Sequence, residues 1–143
     1  MIDPTLVVRK INLISQDLDE LLPISRKDLN EYLSTRIDEI LAERYLERMI
    51  GRMIDINYHL ITETGHPPPP DYYQSFTQLG KLGILPPAFA QQIAACAGLR
   101  NRIVHEYDEI EPRKLYDGLQ VVVGNTPQYL GYIQHYLQHL PAD

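Results

Sequence analysis

A single cysteine, Cys96, among 143 residues has no internal partner, so a disulfide-stapled secreted domain does not fit and a reducing compartment does. Long apolar runs are lacking as well. No stretch approaches the roughly 20 apolar residues that span a bilayer, and Met1-Ile2-Asp3-Pro4 opens no basic-then-apolar leader, so a cytoplasmic protein with no membrane partner is expected. Positive charge is in deficit: 13 Lys and Arg stand against 19 Asp and Glu, a net charge of -6. That deficit argues against nonspecific coating of nucleic acid, whose affinity comes from neutralising many phosphates, yet it is compatible with a local basic cleft. Sets of alternating polar and apolar residues are also missing, and without them no sheet can be closed. What is present is ordinary globular composition, 44% hydrophobic and 22% charged, in a chain whose length suits one domain over residues 1–143.

Hydrophobic periodicity organises that domain. Asp3 followed by Pro4 is a helix start, and Leu6, Ile11, Leu13, Ile14, Leu18, Leu21 and Leu22 step helically up to Pro23. From Asp28 to about Thr64, apolar positions from Leu29, Leu33, Ile37 and Ile40 to Leu60 and Ile61 keep stepping by three or four, which predicts one long helix bent near Ser34. Gly65 stops it, and His66 with Pro67 to Pro70 forms a stiff spacer. Asp71 caps a short helix through Phe76, Leu79 and Leu82. Pro87 opens the next, which runs past Arg100 toward Asp108, and Pro112 opens a last one, interrupted around Gly124 to Pro127. Val121-Val122-Val123 is read as helical, because an isolated strand has no partner. The expected fold is all-α, a bundle of four to five helices.

The informative stretch runs from Gly98 to Ile110. On a regular helix Ala95, Cys96, Leu99, Ile103 and Ile110 form an apolar stripe facing the core. Asn101, His105 and Asp108 share another face, so Asn101 or Asp108 can hydrogen-bond the imidazole, while Arg100 lies to the side. Histidine suits proton transfer near neutral pH. Arginine stays charged and can clamp a phosphate through two parallel hydrogen bonds. Together they suit RNA transesterification, in which a 2′-hydroxyl attacks its neighbouring phosphate and no metal is required. On spacing alone the plainer reading wins, because a single Arg and His on one helix face are usually surface or satisfied core residues.

The residue string adds weight, because it closely resembles the signature of the HEPN superfamily: Arg, a polar residue, three further positions, His, any residue, and Tyr. Here these are Arg100, Asn101, His105 and Tyr107. The flanks Gly98-Leu99 and Asp108-Glu109-Ile110 resemble the HepT branch. Arg44-Tyr45-Leu46-Glu47-Arg48 through Ile54-Asp55-Ile56 to His59-Leu60 is similar to that branch's long second helix. The resemblance implies a HEPN-like bundle acting as a metal-independent endoribonuclease toxin, with Arg100 and His105 catalytic, Asn101 and Asp108 supporting them, and no cofactor. It further implies a homodimer in which two motifs face one cleft, with His105 of each protomer dividing the roles of base and acid. It also implies tRNA as substrate, and a cognate minimal nucleotidyltransferase antitoxin that attaches AMP to Tyr107, adding bulk and negative charge beside a phosphate site. On a regular helix Tyr107 lies on Arg100's side, away from His105, so either the helix distorts there or Tyr107 serves the other protomer.

Other residues fit simpler readings. Arg102, Arg113 and Lys114 are candidate RNA contacts by their place near the motif. Arg44, Arg48 and Arg52 repeat every four residues, with Glu47 and Asp55 each three after an arginine, which reads as a salt-bridged face. His135 and His139 have the spacing of two metal ligands but no convincing third. Tyr129, Tyr132 and Tyr136 form a packing stripe, and Gly80 and Gly83 make no phosphate loop. The alternative to the enzyme is a noncatalytic helical module of the same fold that holds a nucleotidyltransferase or a nucleotide.

Overall fold

The ends of the helices follow from a few capping side chains. In the computed structural model, which describes residues 1–105 and 110–141, α1 spans Pro4–Ser25, with the Asp3 carboxylate accepting from the Leu6 N–H at 3.2 Å and Pro4 in the first turn. Asp28 caps α2 (Leu29–Ser34) by accepting from the Glu31 N–H at 2.9 Å, and Asp71 caps α4 (Tyr72–Lys81) by accepting from the Gln74 N–H at 2.7 Å. Helix α3 (Arg36–Glu63) ends in a left-handed glycine, Gly65 at φ +88°, with the His66 N–H returning to the Ile61 carbonyl. Helix α4 ends the same way at Gly83, φ +75°, with the Ile84 N–H on the Leu79 carbonyl. Helix α5 covers Pro87–His105 and α6 covers Pro112–Gln138.

Three expectations from periodicity need correction. The long helix from Asp28 to Thr64 is two helices, broken at Thr35, whose backbone is extended (φ -121°, ψ 93°). There the Ser34 and Thr35 hydroxyls both donate to the Glu31 carbonyl, at 2.8 and 3.2 Å, competing with the backbone ladder. The break turns Tyr32 inward, 5.2 Å from the Tyr116 ring, and leaves Leu33, Ile37 and Ile40 outside at 48, 57 and 49% exposure. Helix α1 runs two residues past Pro23, because the carbonyl that loses its donor belongs to exposed Asp19, where water replaces it. Helix α6 is uninterrupted from Gly124 to Pro127: Pro127 removes a single backbone bond, that to the carbonyl of half-buried Val123, while in the same stretch Gln92 of α5 donates to the Asn125 side chain at 2.8 Å and Thr126 Oγ1 to the Val122 carbonyl at 2.7 Å.

Helix α3 is the central post and touches each of the other five helices. Its fully buried Asn57 donates to Ser75 Oγ of α4 at 3.2 Å and accepts from the Tyr129 hydroxyl of α6 at 2.7 Å. Between α1 and α3, the Asp17 carboxylate, 4% exposed, accepts from Arg52 at 2.7 Å and faces Arg48 at 3.3 Å. Two of the three regularly spaced arginines are thus committed to one buried acid on another helix, and Asp55 pairs with Lys10 at 3.1 Å rather than with Arg52. Among the described residues there is no strand, and no helix is long and apolar enough to cross a membrane.

Helices α4 and α5 approach most closely at Gly80, where an added Cβ would stand 2.8 Å from Ala90 Cβ and 3.3 Å from the Pro87 backbone. Neither neighbour has a flexible side-chain end to yield. Gly80→Ala is therefore expected to lose about 1–3 kcal/mol of stability through overpacking, read from the urea midpoint. An unchanged midpoint would show that the two helices can separate without cost.

Candidate active site

Helix α5 is fastened to the core by Ile93, Cys96, Leu99 and Ile103, all buried, whereas Ala95, expected on the same stripe, is exposed. Leu99 packs so closely on Gly118 of α6 that a Cβ there would lie 2.9 Å from a Leu99 methyl. This contact fixes the rotation of α5, and with it the direction of the next residue, Arg100.

Arg100 is half-buried against α3 and α4. Its guanidinium carbon lies 5.2 Å from the centroid of the Tyr72 ring, a cation–π distance, and its Nε is buried without a hydrogen-bond partner. Beneath it α3 presents Gly51, where an added Cβ would sit 3.8 Å from that Nε. Gly51, Ile54, Asp55, Tyr58, Tyr72 and Arg100 enclose a cleft of about 280 Å³. The Tyr58 hydroxyl donates to the Pro69 carbonyl at 3.1 Å, tying the proline-rich connector to the rim of the cleft. Burial, aided by the neighbouring Tyr72 and Asp71, pushes the Tyr58 phenol above its ordinary range, so it remains a donor at neutral pH.

Asn101, Arg102 and His105 are exposed. Five positions on one helix turn the chain by about 140°, so Arg100 enters the cleft while His105 faces solvent. Asn101 is one turn from His105 on the exposed side, and no hydrogen bond joins them. Tyr107 and Asp108 lie outside the described residues. Arg113 and Lys114 are exposed in the first turn of α6, with Lys114 4.0 Å from Glu111. A phosphate group would find at Arg100 a positive charge in a partly dehydrated setting, where such contacts are strongest.

The remaining candidates fall to packing. Tyr129 is fully buried in the Asn57 network, and burial raises its phenol well above the usual value. Tyr132 packs on Phe89 at 5.2 Å. His135 and His139 lie side by side, with ring centroids 4.1 Å apart, and among the described residues no group of three or more His, Cys, Asp or Glu is arranged to hold a metal. The Cys96 thiol is pushed up by burial, which makes it a packing residue rather than a nucleophile.

Comparison with known proteins bears on the chain as a whole. A family model described as ribonuclease HepT-like matches residues 14–133. The tRNA nuclease HepT of Aphanizomenon flos-aquae (strain 2012/KM1/D3) is 35% identical over 136 residues, covering 95% of this chain and 92% of that protein. Among solved structures, a tri-AMPylated HEPN toxin of Shewanella oneidensis in complex with an MNT antitoxin superposes with a TM-score of 0.81 at 21% identity, over 94% of this chain and 99% of that one. The cytosolic protein YutE of Bacillus subtilis superposes with a TM-score of 0.83 at 14% identity, over 99% of this chain and 96% of that one. At such identities the two structures establish a shared fold.

The Arg100 surroundings were invisible to motif reading, because Gly51, Asp55, Tyr58 and Tyr72 come from helices far away in sequence. The one available signal is Gly51 itself, a lone glycine inside a long amphipathic helix, where glycine weakens the helix unless a packing or functional reason keeps it. With only an ordinary 3.8 Å contact awaiting a Cβ, Gly51→Ala should raise stability by about 0.5–1 kcal/mol. Denaturant unfolding measures this, and a loss of stability would mean that the glycine serves packing.

Proposed function

Because the chain belongs to the HepT-like ribonuclease family, we propose that it is a metal-independent endoribonuclease toxin of a toxin–antitoxin pair, cleaving tRNA with Arg100 and His105. The observation that carries this reading is the family's motif at the end of α5, with the cationic Arg100 lining a cleft and His105 exposed to solvent. The reaction takes its nucleophile from the RNA. The 2′-hydroxyl attacks the adjacent phosphorus, the bond from phosphorus to the 5′-oxygen breaks, and the products are a 2′,3′-cyclic phosphate and a 5′-hydroxyl. One imidazole accepts the 2′-hydroxyl proton and a second, protonated, supplies one to the departing 5′-oxygen. Arg100 neutralises the charge that grows on the phosphoryl oxygens. With nucleophile and charge compensation supplied in this way, no metal-bound water is required.

Two imidazoles are wanted and each chain offers one motif histidine, so the active form is a homodimer whose His105 residues face one cleft. Asn101 and Asp108 support the imidazole, and Arg102, Arg113 and Lys114 gather RNA phosphates at the rim. AMPylation of Tyr107 by a nucleotidyltransferase antitoxin silences the enzyme by placing negative charge where RNA phosphate must enter. The AMP groups and MNT antitoxin of the Shewanella protein support this part of the reading, and the tRNA nuclease from Aphanizomenon supports the substrate.

The test is cleavage of total cellular tRNA by purified, unmodified protein in excess EDTA. Wild-type protein yields fragments ending in cyclic phosphate, and His105→Ala and Arg100→Ala each lower the rate at least about a hundredfold. Intact RNA in every lane, together with tight antitoxin binding, would instead identify a noncatalytic binding module.

A further inference from the structure

We propose that the cleft between α3 and α4 is a subsite for one unpaired nucleobase of the RNA strand, next to the phosphate held by Arg100, and that Asp55 selects there for bases bearing an exocyclic amino group. The inference rests on the ribonuclease reading above and adds to it a choice of base.

The cleft has the composition of a nucleotide site. One end is cationic, through Arg100, and one wall is aromatic, made of Tyr58 and Tyr72 packed edge to face with centroids 6.2 Å apart. The floor is the bare backbone of Gly51 beside Ile54. Every base carries a π-face, and aromatic side chains hold unpaired bases by stacking whatever their sequence; the Tyr72 ring already carries the Arg100 guanidinium, so the base stacks on Tyr58. At about 280 Å³ the cleft falls just below the roughly 300–1,000 Å³ of sites for drug-sized ligands. That admits one base turned out of a single strand and refuses a duplex.

Choice among bases falls to Asp55, the acidic residue of the lining. A carboxylate only accepts hydrogen bonds. Lys10 engages its Oδ2 at 3.1 Å, which holds the group in place and leaves Oδ1 to accept from a ligand. Cytosine offers its N4 amino group to such an acceptor, whereas uracil, nearly identical in shape, turns a carbonyl oxygen toward it. The Tyr58 hydroxyl, spent on the Pro69 carbonyl, does not compensate uracil.

The measurement is fluorescence anisotropy of short labelled oligo(C) and oligo(U) at low salt, using His105→Ala protein so that the strands stay intact. Oligo(C) is expected to bind about tenfold or more tightly than oligo(U), the value of one hydrogen bond to a charged acceptor. Asp55→Asn, an exposed substitution that provides a donor, erases the preference, and Arg100→Ala weakens both oligomers alike. Equal binding of the two, a preference that survives Asp55→Asn, or indifference to Arg100→Ala would each overturn the subsite and leave tRNA cleavage by the wild type untouched. A preference that depends on Asp55 in a protein that cleaves no RNA would keep the subsite and remove the nuclease.

Discussion

The side-chain amide of Asn57 is the constraint on which the arrangement of the helices depends. It is fully buried in α3, accepts from Tyr129 of α6 and donates to Ser75 of α4, whose hydroxyl in turn donates to the Tyr72 carbonyl at 2.7 Å. Leaving any of these groups unpaired in the core costs about 1–3 kcal/mol, so the network penalises every register of the three helices but one. Its last member is Tyr72, whose ring carries the Arg100 guanidinium. The side chain proposed to bind phosphate is thereby positioned from the centre of the core.

Charge is apportioned in the same spirit. Arg48 and Arg52 are committed to Asp17, Lys27 to Asp38 at 2.6 Å, and Lys10 to Asp55. In a chain of net charge -6, these pairings leave Arg100 as the cation of the cleft, with part of its donor set unspent. The RNA contacts proposed for the chain are accordingly a few placed ones instead of a basic surface. Its binding should therefore fall less steeply with salt than that of a protein covering many phosphates.

Local chemistry was legible in the sequence, and tertiary chemistry was not. Asp3, Asp28, Asp71, Gly65 and Gly83 act on their own neighbours, and each ends or begins a helix where its residue type says it should. The break at Thr35 depends on two hydroxyls capturing one carbonyl, and α6 runs on through Pro127 with the loss of a single backbone bond, so periodicity misjudged both. The exposure of Leu33, Ile37 and Ile40 followed from the first of these errors. The motif was readable because Arg100, Asn101 and His105 lie within six residues. Its environment was not, because Gly51, Asp55, Tyr58 and Tyr72 reach it only after α3 and α4 have packed.

The proposed mechanism needs both His105 side chains of a dimer, one as base and one as acid. Mixing wild-type and His105→Ala subunits, unfolded and refolded together in equal amounts, tests this most directly through the rate of tRNA cleavage. If each active dimer requires two intact histidines, random pairing leaves about one quarter of the wild-type activity per total protein. Activity near one half would show that each protomer works alone, and no cleavage even by the unmixed wild type would contradict the ribonuclease assignment itself.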